Sequence, residues 1–122
     1  MRRVLVCLFA LWVVAASAAR AQTSGGDPLV QARALAASGQ RAAAIALLRG
    51  QVDASPRDDD ARLLLGIMLS WDGKYDEARV LLKRVVAARP SYVDAYLALA
   101  NVELWSDHPR ESKDLADRGL EL

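Results

Sequence analysis

Apolar residues recur at helical spacing from residue 28 to the end of the chain, in six segments separated by short polar turns. Nowhere in 22–122 do apolar and polar residues alternate as they do in a half-buried strand. The pattern therefore predicts an all-α protein. Its helices are expected over the ranges 28–37, 40–53, 59–71, 75–88, 92–105 and 109–120.

Polar residues at the starts of these segments predict helix caps. Asp27 precedes Pro28, an N-cap followed by a proline at the first helical position. The run 58–60 consists of three aspartates, which we expect to cap backbone amides and to meet the positive end of a helix dipole. Ser91 and Asp107 are the expected N-caps of the fifth and sixth helices.

The helices repeat in pairs with a period of 34 residues. Shifting the sequence by that length superimposes like residues: Pro56 on Pro90, Gly39 on Gly73, Ala44 on Ala78, Leu48 on Leu82, Leu65 on Leu99 and Trp71 on Trp105. A 34-residue period built from two amphipathic helices is the signature of tetratricopeptide repeats. The copies run approximately over 25–58, 59–92 and 93–122.

The middle copy resembles the tetratricopeptide repeat family most closely. Leu65-Gly66, the turn 73–78, Leu82 and Pro90 stand where that family has its Leu-Gly pair, its turn, its second-helix aromatic and its closing proline. Arg62 departs from the pattern, which has tryptophan there. The resemblance implies an α-solenoid of about three helix-turn-helix repeats over 22–122.

Small residues have specific roles in this reading. Gly66 and Ala78 are expected where the two helices of a repeat cross closely, and Gly73 where the first helix ends with a positive φ. Leu65 and Leu82 are expected to fill the space between the helices.

The first 21 residues have a different composition from the rest. Arg2 and Arg3 precede an apolar run over 4–19, and Ala19-Arg20-Ala21 forms a small-x-small cleavage site. This layout is typical of a secretory signal peptide, and the alternative is an uncleaved membrane anchor. We expect a signal peptide over 1–21, a repeat domain over 22–122, and export to the periplasm of a Gram-negative bacterium, at or near the outer membrane.

Charge and cysteine content fit an exported chain. Removing 1–21 takes away Arg2, Arg3 and Arg20, which leaves 13 of the 16 basic residues against all 15 acidic ones, a net charge of −2. Cys7 goes with the same segment, so the remaining chain has no cysteine and suits an oxidising compartment. Weak negative charge argues against nucleic acid as a partner, and cleavage would leave no membrane segment.

A narrower resemblance concerns the ranges 69–78 and 94–105. These stretches look like the periplasmic repeat region of YaiO-type outer-membrane β-barrel proteins, in which a signal peptide and a few repeats precede the barrel. These 122 residues contain no barrel segment, so for them we expect the repeat region alone.

In the tetratricopeptide family the first helix of each repeat lines a concave groove that holds a peptide or a partner's helix. Carried over by position within the second and third copies, the candidate groove residues are Asp60, Leu63, Leu64, Ile67, Ser70, Trp71, Asp94, Leu97, Ala98, Asn101, Leu104 and Trp105. Asn101 matches the asparagine of the family's peptide-carboxylate clamp. The clamp's basic positions are not basic here, which disfavours carboxylate capture.

Trp71 and Trp105 lie one repeat apart and have two interpretations. They could form an aromatic ledge in the groove, since tryptophan is enriched at binding hot spots. Alternatively, each packs on the turn that follows its own helix, the commoner role of a tryptophan at helical spacing.

The sequence disfavours catalysis, metals and cofactors. The aspartates of 58–60 lack the spaced oxygen ligands of a cation loop. His108 is the only histidine and is expected in an exposed turn. Ser70, Ser91 and Ser106 are expected to lack a base partner, so we expect no enzyme.

We expect the outer side of the last helix to remain uncovered, since these 122 residues contain no fourth repeat. Leu115, Ala116, Leu120 and Leu122 form a candidate open docking face, suited to a partner or to homo-oligomer formation. The resulting hypothesis is a periplasmic, non-catalytic repeat adaptor that binds another protein or peptide. The alternatives are a YaiO-type repeat region lacking its barrel and a membrane-anchored scaffold.

Overall fold

The computed structural model describes residues 25–122, and this range folds into six α-helices without a strand. The helices are α1 Pro28–Ala37, α2 Arg41–Ala54, α3 Asp59–Trp71, α4 Tyr75–Ala88, α5 Val93–Trp105 and α6 Pro109–Leu120. The predicted bounds of four helices are confirmed. Helix α2 begins and ends one residue later than predicted, and α5 begins one residue later. The predicted signal peptide and Cys7 lie outside the described residues. Within 25–122, no helix has the length and apolarity needed to span a membrane.

The helices stack in chain order, each packing on the next. In addition, α3 contacts both α1 and α5, so the first helices of the three pairs form one wall of the solenoid. This arrangement is the predicted all-α solenoid of three helical pairs. The wall made by α1, α3 and α5 is the one that carries the candidate groove.

The core lies between the paired helices, with α3 at its centre. Leu65, Leu69 and Leu82 are almost completely buried, as expected from their repeat positions. Ala78 is also fully buried. A Cβ built on Gly66 would lie 2.8 Å from Cγ of Leu82, so the predicted need for a small residue at 66 is confirmed, with Leu82 as the close neighbour.

The turn inside each pair depends on one residue with a left-handed backbone. Gly39 and Gly73 have φ values of 82° and 73°, and Asp107 takes the equivalent position with φ 67°. The predicted N-cap role of Asp107 is wrong, because His108 precedes α6 as its N-cap. Asp107 instead ends the turn after α5, where the backbone N–H of His108 donates to the Glu103 carbonyl at 2.8 Å.

Two of the other predicted caps are confirmed and one is wrong. Asp27 accepts from the backbone N–H of Leu29, and Asp58 accepts from that of Ala61, each at 2.9 Å. The N-cap of α5 is Tyr92 and not Ser91. The backbone N–H of Tyr92 closes a turn onto the Arg89 carbonyl at 3.0 Å, which delays the start of the helix by one residue.

Arg62, which replaces the family's tryptophan, is buried in α3. Its guanidinium pairs with Asp59 at 2.5 Å and donates to the Pro56 carbonyl. A buried cation needs such partners, because desolvation would otherwise disfavour it strongly. One acceptor in the first turn of α3 and one in the turn before it thus hold the guanidinium, while its buried Nε atom has no partner within the described residues.

Candidate functional site: a concave groove and its surroundings

A concave cavity of about 590 Å³ opens on the wall formed by α1, α3 and α5. We call it the groove. Its lining residues are Leu29, Arg33, Asp60, Leu63, Leu64, Ile67, Trp71, Tyr92, Asp94, Leu97, Ala98 and Asn101. Apolar side chains from all three helices line this surface, and polar and charged groups contribute an equal share of it.

Most of the predicted groove residues line this cavity, namely Asp60, Leu63, Leu64, Ile67, Trp71, Asp94, Leu97, Ala98 and Asn101. Three predicted residues do not. Ser70 is buried and its hydroxyl donates to the Ile67 carbonyl at 2.6 Å. Leu104 and Trp105 are about half exposed but lie outside the groove.

The groove contains three residues that the sequence analysis missed. Leu29 and Arg33 come from α1, where the position rule used for copies two and three also applies. Both stand 34 residues before groove residues of the second copy, Leu63 and Ile67, so the repeat register identifies them. Tyr92 precedes α5 and has no groove position in the repeat pattern, so no sequence signal pointed to it.

A hydrogen-bonded cluster lies where α3 and α5 begin. One oxygen of Asp60 accepts from the Tyr92 hydroxyl at 2.6 Å and from Arg89 at 3.0 Å, and the Arg89 guanidinium lies 3.9 Å from the centre of the Tyr92 ring. The hydrogen bonds from Tyr92 and Arg89 lower the pKa of Asp60. Burial and the Asp60 carboxylate raise the pKa of Tyr92 to about 12. This end of the groove therefore keeps an ionised aspartate and a neutral tyrosine at neutral pH.

Trp71 and Trp105 meet at a second, shallower cavity of about 650 Å³. Both side chains are about half exposed, and Arg41, Ser70 and Tyr75 complete the lining. Trp71 lines the groove as well, whereas Trp105 does not. The surface that the two tryptophans share is thus this second cavity, where the Arg41 guanidinium lies 5.7 Å from the centre of the Trp71 ring.

A buried ionic cluster joins α4 to α5 away from the groove. Glu103 pairs with Arg79 at 2.5 Å, and Arg79 also donates to Ser106 at 2.8 Å. The Nδ1 atom of His108 lies 3.1 Å from the Ser106 hydroxyl, so the expectation that Ser106 has no base nearby is wrong.

The contact between Ser106 and His108 does not form a catalytic relay. Glu103 approaches the same Nδ1 atom at 3.5 Å, whereas a relay needs the acid and the nucleophile on opposite ring nitrogens. The Ser106 hydroxyl also donates to the Val102 carbonyl at 2.7 Å. The cluster therefore ties the turn before α6 to α5.

No group of three or more histidine, cysteine, aspartate or glutamate side chains within 25–122 could hold a metal ion. The aspartates at 58–60 each have a structural use. Asp58 caps α3, Asp59 pairs with Arg62, and Asp60 holds Tyr92.

Comparison with known proteins identifies this architecture. Residues 69–122 match the family model of the tetratricopeptide repeat. The solved structure of MamA superposes with a TM-score of 0.70 at 19% identity, covering 77% of this chain and 55% of MamA. The fold is a tetratricopeptide repeat solenoid. The family match covers less than half of the chain, and the structural likeness at this identity shows the fold.

Two further tetratricopeptide structures have informative ligand sites. YrrB, described as a TPR protein with an unusual peptide-binding site, gives a TM-score of 0.73 at 20% identity, with 80% of this chain and 52% of YrrB covered. The second TPR of Spaghetti (RPAP3), bound to the HSP90 peptide SRMEEVD, gives 0.72 at 16% identity, with coverages of 78% and 88%. The chain spans about half the length of MamA and YrrB. A search of the curated proteins gave no match.

The docking face predicted at the last helix, α6, is only partly exposed. Leu115 packs against the core and Ala116 is half-buried. Leu120 and Leu122 are 80% and 60% exposed. Binding of a partner or a second copy on this face stays a prediction.

Proposed function

We propose that this protein is an exported tetratricopeptide repeat adaptor that binds a segment of another protein in the groove. The groove itself is the observation that carries the proposal. Equivalent positions of the three repeats bring apolar side chains of α1, α3 and α5 to one open surface, and polar groups line the same cavity. Ligand sites of proteins combine these features, with apolar area for affinity and a few polar groups for orientation.

Two structural relatives support a protein ligand. YrrB is described by its peptide-binding site, and the Spaghetti repeat was solved with a bound HSP90 peptide. Both share the fold of this chain at identities of 20% or less, so they support the class of ligand and not its sequence. A scaffold role also agrees with the arrangement of Ser106, His108 and Glu103, which serves the fold.

Export to the periplasm is part of the proposal. It rests on the signal-like segment 1–21 and on the absence of cysteine from 22–122. The test is mass spectrometry of the protein recovered from the periplasmic fraction. We expect a mature N-terminus at Gln22. Recovery of the uncleaved chain in the membrane fraction would favour the anchored scaffold instead.

Site-specific photo-crosslinking in living cells tests the binding site. A photoreactive residue at Leu97 faces the groove, and one at Val80 lies on α4 outside it. Both native side chains are exposed, Leu97 by 40% and Val80 by 61%, so the pair is matched for access to solvent. We expect a discrete crosslinked protein band from position 97 and none from position 80.

Equal crosslinking from both positions, or crosslinking from position 80 alone, would contradict a groove adaptor. If position 97 crosslinks as expected, peptide mass spectrometry of the purified complex would identify the crosslinked segment of the partner. This result would turn the class of ligand into an identified sequence.

The alternative is the repeat region of a YaiO-type protein. Its support is the sequence of 69–78 and 94–105, which form the end of α3 with the start of α4 and most of α5. The test is the genomic DNA beyond the Leu122 codon, read in all frames. Ten-residue segments of alternating polarity would support this alternative, and unrelated coding sequence after a stop would support the adaptor.

A further inference from the structure

Two aspartates occupy equivalent positions at one end of the groove. Asp60 lies in the first turn of α3 and Asp94 in the first turn of α5, one repeat period later. Both carboxylates line the groove and both are exposed. A ligand that enters this end of the groove therefore meets two negative charges, one on α3 and one on α5.

Asp60 retains binding capacity after its internal contacts are satisfied. Its Oδ1 atom takes both hydrogen bonds, from the Tyr92 hydroxyl and from Arg89. Within residues 25–122, no hydrogen bond reaches the other oxygen, and the side chain is 54% exposed. Tyr92 and Arg89 thus hold the carboxylate in place while one oxygen faces the solvent.

Asp94 has no such internal partner. No side-chain hydrogen bond or ion pair engages it within the part of the chain that the structure describes. Two cations lie in this region: Arg33, which lines the groove from α1 and whose charge acts on Asp60, and Arg89, which is paired with Asp60. Of the two aspartates, Asp94 is therefore the one without a paired cation within the described residues.

Beyond the aspartates, the groove becomes apolar and then aromatic. Leu97 follows Asp94 by one helical turn and is 40% exposed. Ile67 lies opposite on α3, and Trp71 stands at the far end of that helix with half of its side chain exposed. The order from one end to the other is acidic, aliphatic, aromatic.

We propose that the groove selects a peptide segment in which a lysine or arginine is followed by apolar residues. The basic side chain lies between Asp60 and Asp94, and the apolar residues cover Leu97 and Ile67. This inference rests on the proposed function, since it names the class of segment that the adaptor binds. Charge complementarity of this kind sets the register and excludes wrong partners.

The same geometry disfavours acidic segments. The peptide SRMEEVD in the Spaghetti complex carries two glutamates and a terminal aspartate against a single arginine, so it is acidic overall. In this chain the first-turn groove positions carry Asp60 and Asp94, and an acidic ligand would face like charges there. Asn101 remains able to hydrogen-bond a peptide backbone but supplies no charge.

Selection from a random nonapeptide library, displayed on phage and panned against the purified protein, tests the ligand class. Synthetic versions of selected peptides are then measured by fluorescence polarisation, with the basic residue intact or replaced by Gln or Glu. We expect lysine or arginine enriched at one position ahead of apolar residues. The Glu version should bind most weakly, and affinity should fall with added salt.

Two matched variants connect that preference to the groove. Asp94→Asn should weaken binding of a selected peptide by about fivefold, the upper end for a partly exposed charge pair. Asp53→Asn removes the same charge from an exposed position of α2 outside the groove and should leave affinity unchanged. Asp94→Lys should reverse the preference between the Lys and Glu versions of the peptide.

The outcomes separate this inference from the function on which it rests. Groove-binding peptides without basic enrichment, or with affinity indifferent to Asp94→Asn, would overturn the charge preference and leave the groove adaptor standing. Failure to select any peptide, together with no crosslink from position 97, would overturn both.

Discussion

Gly66 of α3 lies directly against Leu82 of α4, where the two helices of the second repeat cross. A Cβ at position 66 would meet two side-chain carbons of Leu82 at 2.8 and 2.9 Å. Leu82 is fully buried, so it has no free space into which it could move. This contact explains why the middle repeat keeps a glycine inside a helix, where glycine is otherwise unfavourable.

Gly66→Ala should lower the free energy of unfolding by ~1–2 kcal/mol, because overpacking outweighs the gain in helix propensity. The matched control is Gly50→Ala in α2, where an added Cβ would meet nothing within 4 Å. That change should stabilise the protein by ~0.5–1 kcal/mol. Urea unfolding followed by circular dichroism measures both. Similar effects of the two substitutions would contradict the close crossing.

Asp107 has a backbone conformation that favours glycine, and this gives a second prediction. Its φ of 67° matches the values of Gly39 and Gly73 at the equivalent turns. Asp107→Gly should raise the free energy of unfolding by ~0.5 kcal/mol, since the strain it removes exceeds the added entropy of the unfolded chain. The reciprocal change Gly73→Asp should destabilise by ~1 kcal/mol. Thermal unfolding of both variants checks the pair, and a destabilising Asp107→Gly would refute it.

The repeat period accounts for how much of the fold could be predicted. Hydrophobic spacing predicts the helix bounds and the burial of Leu65, Leu69 and Leu82. The same spacing recurs in each repeat, so each copy supports the prediction separately. Asp107 was assigned wrongly because aspartate is a frequent N-cap and its 34-residue equivalence to Gly73 was not applied. Local residue preference and repeat register gave different answers there, and the register was correct.

Part of the candidate site could not be predicted because it depends on contacts between distant residues. Glu103 of α5 forms an ion pair with Arg79 of α4, and Asp60 accepts a hydrogen bond from Tyr92, which lies 32 positions later in the chain. Neither pair leaves a pattern in a single sequence. Ser70 illustrates the opposite error, since its groove position was correct in the family pattern but its side chain turns inward to bond the Ile67 carbonyl.

The pair of Arg79 and Glu103 should stabilise the last repeat. Glu103 is nearly buried, and its carboxylate accepts hydrogen bonds from two nitrogens of Arg79, at 2.5 and 3.2 Å. Glu103→Gln should lower the free energy of unfolding by ~2–3 kcal/mol, because a buried pair that loses one partner leaves the other unbalanced. Asp117→Asn, in an exposed pair with Lys113, should change it by less than ~0.5 kcal/mol. Chemical denaturation of the two variants compares them directly.

Tyr92 should make the protein lose stability between pH 10 and pH 12. Its pKa is raised to about 12 by burial and by Asp60, whereas an unfolded tyrosine ionises near its ordinary value of 10. The folded state holds the proton longer, so the stabilisation is complete below pH 10 and declines as the unfolded chain ionises. Tyr92→Phe should flatten this alkaline decline in a series of urea midpoints. A decline of unchanged steepness in that variant would contradict the assignment.

Asp60 should contribute to stability in the acid range. Its pKa is lowered by hydrogen bonds from Tyr92 and Arg89, so its stabilisation is present above the ordinary pKa of an aspartate and is lost as pH falls through the lowered value. Asp60→Asn should therefore reduce the dependence of the urea midpoint on pH in the acid range. An unchanged pH dependence in Asp60→Asn would contradict this role of Asp60.

Trp71 and Trp105 should respond differently when the groove is filled. Trp71 lines both the groove and the second cavity, which we call the outer cavity, whereas Trp105 lines the outer cavity alone. A selected peptide in the groove should therefore change the environment of Trp71 and leave that of Trp105 unaltered. In the Trp105→Phe variant the peptide should still shift the fluorescence emission and protect the indole from acrylamide, and in the Trp71→Phe variant both effects should disappear. Persistence of the shift in Trp71→Phe would place the ligand at the outer cavity, because Trp105 lines that surface and lies outside the groove.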